Sequence, residues 1–158
     1  DAIPHVYHLK PAIEIAGEAG MLEFGERIAR SLTPGSMVYL QGDLGAGKTT
    51  IVRGVLRGLG HTGPVTSPTY TLLESYQPGE MRIHHFDLYR LEDPEELEHI
   101  GIRDLLDGEA IALVEWPAMG AGILPPPDLV IQIGFLDRGR RIETSGSIVI
   151  AGGSLAPH

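Results

Sequence analysis

The sequence predicts an α/β fold, a three-layer sandwich around a mixed, mainly parallel sheet that finishes in antiparallel strands. Three observations carry that prediction. An apolar run at Met37–Leu40 leads directly into a glycine-rich loop and then into a segment of helical period. A second apolar run, 111–115, ends on the carboxylate of Glu115. Beyond Pro125-Pro126-Pro127, two strand-like runs close the chain with no helix between them.

Each element has its own local cause. Met21, Phe24, Ile28 and Leu32 recur at helical spacing, so 18–32 is expected to be an amphipathic helix, ended by the turn Thr33-Pro34-Gly35. Met37–Leu40 is a short buried strand. After the glycine-rich loop, Ile51, Val52, Val55, Leu56 and Leu59 keep a 3.6-residue period, and Gly60 stands where such a helix would stop. Residues 62–71, rich in Thr, Ser, Gly and Pro, read as a loop. Strands are expected at 71–76 and 82–88, joined by a Pro78-Gly79 turn. Asp93, Pro94 and Glu96 carry the spacing of a capped helix start. Residues 111–115 form a buried strand. Pro125–Pro127 is a stiff connector, and 129–135 with 141–150 read as an antiparallel pair.

Length and composition bound the possibilities. A chain of 158 residues suits one domain, 1–158, and 42% hydrophobic residues suffice for a sizeable core. No apolar stretch approaches the roughly 20 residues a membrane helix needs, and residues 1–10 show no signal-peptide pattern. The absence of cysteine removes disulfides, thiolate catalysis and Cys-ligated zinc. Together these features lead to the expectation of a cytoplasmic protein with no membrane association. The formal charge of −9, with Lys10 and Lys48 as the lysines, argues against stable direct binding of nucleic acid. Arg138, Arg140 and Arg141 read as a hairpin turn rather than a binding patch.

The strongest chemical signal is the loop. Gly42-Asp43-Leu44-Gly45-Ala46-Gly47-Lys48-Thr49 matches the phosphate-loop pattern G-x-x-x-x-G-K-[ST] in full, and Thr50 follows it. Glycines let the backbone wrap with its N–H groups inward, and the following helix aims its positive end at the same anion. Lys48 is expected to meet the β- and γ-phosphates, and the Thr49 hydroxyl to ligate Mg²⁺. A guanine-reading Asn/Thr-Lys-x-Asp motif cannot form around either lysine, so ATP is the expected nucleotide and a P-loop NTPase the expected fold type.

Three polar groups could complete such a site. Thr66-Ser67-Pro68-Thr69-Tyr70 is either a loop that orders around the γ-phosphate or a plain turn held by local hydroxyl bonds. In His84-His85-Phe86-Asp87-Leu88-Tyr89, strand alternation puts His85, Asp87 and Tyr89 on one face, and the two histidines on opposite faces, which disfavours a His–His metal pair. In Leu113-Val114-Glu115-Trp116-Pro117, a carboxylate closes an apolar strand. Burying it without a cation or donor would cost on the order of 2–7 kcal/mol, which argues for a role. Trp116 fits either the core or a functional surface.

These residues together resemble a known family. Gly42–Thr50, Ser67-Pro68-Thr69-Tyr70-Thr71-Leu72, His85-Phe86-Asp87-Leu88-Tyr89-Arg90-Leu91, Glu96-Leu97-Glu98 with Ile100-Gly101, and Glu115-Trp116-Pro117 occur in the order found in TsaE (formerly YjeE), the bacterial tRNA threonylcarbamoyladenosine biosynthesis ATPases. The resemblance spans about residues 40–125. It implies a Mg²⁺-dependent ATPase that supports threonylcarbamoylation of adenosine 37 in tRNAs reading codons that begin with A. It also implies action with the TsaB–TsaD heterodimer, where TsaD transfers the group and tRNA is met only indirectly through the partners. By the same resemblance, Lys48 and Thr49 contact phosphate and Mg²⁺, and Glu115 is the Mg²⁺-associated carboxylate. Thr69 is then a switch-like hydroxyl, and Asp87 and Trp116 are residues needed for activity. Whether Asp87 or Glu115 acts on the attacking water is left open. A small-molecule kinase would share the loop but should add an Arg-rich lid, which the sequence lacks. A nucleotide-gated binding module with incidental hydrolysis is the other rival.

Overall fold

The computed structural model describes residues 12–68, 71–148 and 150. Its strands are β1 (Ile13–Ile15), β2 (Met37–Gln41), β3 (Leu73–Tyr76), β4 (Ile83–Asp87), β5 (Ile111–Glu115), β6 (Leu129–Phe135) and β7 (Arg140–Gly146). They form one seven-stranded sheet in the order β1-β7-β6-β2-β5-β4-β3. The pairs β6–β2, β2–β5 and β5–β4 are parallel, while β1–β7, β7–β6 and β4–β3 are antiparallel. The mixed sheet is therefore parallel at its centre and antiparallel at both edges.

Helices α1 (Glu18–Ala29) and α2 (Lys48–Gly58) cover one face, and the one-turn helices α3 (Glu96–His99) and α4 (Ile102–Leu105) belong to the other. Strand alternation sorts the core between the layers. Ile111 and Leu113 join the cluster under α1 and α2, whereas Ala112 and Val114 join Phe86, Leu97 and Ile102 on the opposite side. The same parity carries Glu115 to the α2 face. On β4, Ile83 faces α1 and α2 and Phe86 faces away, so His85 and Asp87 also lie on the α2 side.

The two long helices approach closely because small residues line their crossing. A Cβ on Gly25 would lie 2.4 Å from the Ile51 carbonyl oxygen, and one on Gly54 would lie 2.2 Å from that of Leu22. This contact anchors α2, and with it the loop that starts the helix.

Several boundaries differ from the expected ones, each for a local reason. The first helix stops at Ala29 rather than residue 32, because Ser31 and Leu32 donate to the carbonyls of Ile28 and Ala29 in a tightened final turn. Leu32 is buried all the same. The last strand ends at Gly146 rather than residue 150: Gly146 has φ +124°, and the amides of Ser147 and Ile148 turn to the Asp128 carbonyl. The hydrogen bonds of a capped start at Asp93 form, with Glu96 Oε2 accepting from the amides of Asp93 and Glu92, but Pro94-Glu95 make a turn, and the helix begins only at Glu96 and runs a single turn. Strand β1 and helix α4 were not expected. Both are too short to show a period.

Candidate functional site

The site grows from the carboxyl ends of the parallel strands, where an α/β sheet leaves a crevice for ligands. Strand β2 ends at Gln41, and the chain loops through Gly42–Gly47 before α2 begins at Lys48. Gly45 and Gly47 have φ of +81° and +111°, values that side chains other than glycine rarely adopt. The first amides of α2 have no partner within the helix and carry its positive end. Lys48, Thr49 and Thr50 therefore present a helix terminus of positive polarity, suited to an anion, to a cleft of about 320 Å³. Leu44 is exposed at the rim, and Gly45, Ala46 and Gly47 line the wall. Gly42 and Asp43 supply carbonyls to the lysine.

Lys48 is buried, and its Nζ donates to the Gly42 carbonyl and, at 3.1 Å, to that of Asp43. The ammonium also lies 4.2 Å from the centre of the Trp116 ring. Burial lowers its pKa from the usual lysine range, opposed by the charges of Glu115, Asp87 and Asp43.

Glu115 is the hub of the polar contacts. Its Oε2 accepts from Thr49 Oγ1 at 3.0 Å and sits 2.7 Å from His85 Nε2. Thr49 Oγ1 is also 2.9 Å from Ser67 Oγ, which brings the loop after α2 into the site. His85 is fully buried, and its Nδ1 has no hydrogen-bond partner. Asp87 stands beside Glu115 in the parallel β4–β5 register. Burial raises the Asp87 pKa, and the hydrogen bond from the Tyr89 amide, 3.1 Å from Oδ1, opposes the rise.

Trp116 leaves the strand with φ +58°, among the described residues the one non-glycine at positive φ. That turn swings its ring back between Lys48 and Tyr89, whose ring centre is 5.0 Å away. Trp116 is thus part of the cleft wall as well as packed against the core on the α3 side.

Of the residues singled out from sequence, Lys48, Thr49, Thr50, Asp87, Glu115 and Trp116 converge on one cleft. Thr69 lies outside the described residues. Three contributors were not foreseen: His85 as a partner of Glu115, Ser67 as a partner of Thr49, and Arg140, which donates to the carbonyls of Ala46 and Gly45. Alternation had placed His85 on the correct face, and that was the available signal.

Among the described residues no cluster of three or more His, Cys, Asp or Glu could hold a metal by itself. One hydroxyl with two neighbouring carboxylates is instead a hard, sparse oxygen set, which suits Mg²⁺ completed by water and ligand phosphates. A second cavity of about 250 Å³ lies on the far side of the loop, lined by Glu18, Met21, Gly47, Thr50 and Arg140. A broad groove adjoins the cleft near Ser67, with Tyr89, Arg90, His99 and Ile100 on its walls. Among the described residues no helix is long and apolar enough to cross a membrane.

Comparison with known proteins identifies the family. Residues 15–142 match the family model described as "Threonylcarbamoyl adenosine biosynthesis protein TsaE". The chain is 52% identical over 134 residues to the tRNA threonylcarbamoyladenosine biosynthesis protein TsaE of Haemophilus influenzae, covering 82% of this chain and 85% of that relative. It is 39% identical over 116 residues to the protein of the same name from Rickettsia felis, covering 73% of this chain and 67% of the relative. The fold superposes on the crystal structure of Bacillus subtilis YdiB with a TM-score of 0.71 at 29% identity, covering 90% of this chain and 86% of the other. With a family match that takes in the phosphate loop, Asp87 and Glu115 together, the chain belongs to the TsaE family of threonylcarbamoyladenosine biosynthesis proteins.

Proposed function

We propose that this chain is a Mg²⁺-dependent ATPase that supports threonylcarbamoylation of adenosine 37 in tRNAs reading codons that begin with A, acting with the TsaB–TsaD heterodimer in the cytoplasm. The observation that carries the reading is the meeting of Thr49, Glu115 and Lys48 at the mouth of an amide-lined loop. In this reading the loop amides and the α2 terminus bind the phosphates, and Lys48 exchanges the carbonyls of Gly42 and Asp43 for phosphate oxygens. The nucleoside would extend past Thr50 towards the cavity beside Glu18.

Thr49 and Glu115 are the residues that would hold Mg²⁺. When bound, that ion neutralises charge developing on the β- and γ-oxygens. In this reading Asp87, whose pKa burial raises, accepts a proton from the attacking water. The net charge of −9 fits a protein whose tRNA is held by its partners.

The test is steady-state ADP formation with and without TsaB–TsaD. Slow turnover alone, rising steeply with the partners, supports the reading, since a group supplied in trans is worth about 10³-fold or more at such sites. Brisk hydrolysis that ignores the partners contradicts it.

A further inference from the structure

Arg140, at the start of β7, is fixed from four sides. Its Nε donates to the Ala46 carbonyl at 2.9 Å, one terminal nitrogen to the Gly45 carbonyl at 3.1 Å, and the other to the Gly139 carbonyl at 2.9 Å. The guanidinium carbon lies 4.5 Å from the centre of the Phe135 ring, its cross-strand neighbour in the β6–β7 register. A single planar fork therefore ties the C-terminal hairpin to the middle of the phosphate loop, 94 residues earlier in the chain.

The consequence follows from peptide geometry. In a planar trans peptide the C=O and the N–H point in opposite directions. The Ala46 carbonyl that Arg140 holds shares its peptide with the Gly47 N–H, and the Gly45 carbonyl shares its peptide with the Ala46 N–H. Arg140 lines the cavity beside Glu18 but not the cleft beside Glu115, whereas Gly45, Ala46 and Gly47 line both. Pulling the two carbonyls to the Arg140 side turns the Gly47 amide to the opposite one. The Ala46 amide is held meanwhile by the Asp43 carbonyl at 3.0 Å, so the loop is braced within itself as well. Glycines alone cannot impose this orientation, because they permit many others.

We infer that Arg140 is a positioning residue for triphosphate capture: its fork holds the carbonyls of Gly45 and Ala46 outward, so that the phosphate loop is set before the ligand arrives. The inference rests on the ATP reading given above. It assigns the C-terminal hairpin a part in binding. Lysine cannot replace the residue, because an ammonium is a point donor without the fixed fork.

Arg140→Ala, Arg140→Lys and Phe135→Ala are each compared with wild type in three measurements. These are MgATP titration followed by Trp116 emission, hydrogen exchange of the loop amides without nucleotide, and KM against kcat for ATP in the presence of TsaB–TsaD. Arg140→Ala is expected to weaken MgATP binding about tenfold to a hundredfold and to speed exchange across residues 44–48, with kcat at saturation little changed. Arg140→Lys is expected not to restore affinity, and Phe135→Ala to give a smaller loss of the same kind. Wild-type affinity and wild-type exchange in Arg140→Ala overturn the inference alone, as does full rescue by lysine. A wild-type protein that takes up no MgATP overturns the ATP reading and this inference with it.

Discussion

Thr49 Oγ1 and Glu115 Oε2 stand 3.0 Å apart, although 66 residues separate them along the chain. The parallel pairing of β2 with β5 brings them together, because Leu40, just before the loop, registers with Glu115 at the strand end. Once the loop has turned, the second residue of α2 faces the last residue of β5. Glu115→Gln keeps the shape and a hydrogen-bond acceptor but removes the charge that would hold Mg²⁺. Turnover with TsaB–TsaD is expected to fall about a hundredfold or more, while MgATP affinity changes by only a few fold. Parallel kinetics and equilibrium titration check this, and an undiminished kcat would remove Glu115 from the chemistry.

His85 holds Glu115 from the buried side. Its removal in His85→Ala leaves the carboxylate short of a donor and opens a void, costing about 1–3 kcal/mol for the lost partner alone. His85→Gln can still donate, and is expected to recover part of the stability and more of the activity than His85→Ala. Urea unfolding and ADP formation on the same preparations check the order wild type, Gln, Ala. Equal activity in the two variants would show that the hydrogen bond is not what matters.

Much of this site was legible in the sequence. The phosphate loop, its strand and its helix are consecutive, so spacing alone located Lys48 and Thr49. The strands at 111–115 and 129–135 have the expected bounds, because the first is an apolar run closed by Glu115 and Pro117, and the second is a largely apolar stretch set between Asp128 and Asp137. Alternation on β4 placed His85 and Asp87 on one face, as found. Strand order was not legible, since nothing in residues 83–87 or 111–115 states that these segments lie side by side. The contact between His85 and Glu115 was hidden for that reason. Arg138, Arg140 and Arg141 do sit at the β6–β7 hairpin, as expected, but the hold of Arg140 on the phosphate loop was not legible, because its partners are backbone carbonyls, which every residue owns and no pattern marks.

The helix crossing makes a prediction of opposite sign to helix propensity. In an exposed helix, glycine to alanine stabilises by about 1 kcal/mol. At Gly54 a Cβ would meet the Leu22 carbonyl oxygen at 2.2 Å, a backbone atom that cannot move aside cheaply. Gly54→Ala is therefore expected to destabilise by about 1–3 kcal/mol, measured by chemical denaturation without nucleotide. A more stable variant would show that α1 and α2 are not packed this closely.

Acid stability should fall in two windows. His84 is buried, with Nδ1 2.7 Å from Ser75 Oγ and Nε2 without a partner. Burial and the nearby Arg82 hold its pKa below the usual histidine value. The unfolded chain then binds the proton first, so stability present above about pH 6.5 declines as the pH falls towards the folded value. The hydrogen bonds from Arg82 and from the amides of Ala110 and Glu109 hold Asp107 well below the carboxylate range, which adds a separate loss below about pH 4. His84→Phe is expected to flatten the upper window and leave the lower one. Unfolding free energies across pH 3 to 8 decide it, and an unchanged slope between about pH 5 and 6.5 would exclude His84 as the source.

The direct test of the whole account is calorimetric titration of the folded protein with ATP, with and without Mg²⁺, alongside Lys48→Ala. Saturable uptake of one ATP per chain, strengthened by Mg²⁺ and lost in the variant, is expected. No uptake by the wild-type protein, alone or with TsaB–TsaD present, would contradict it.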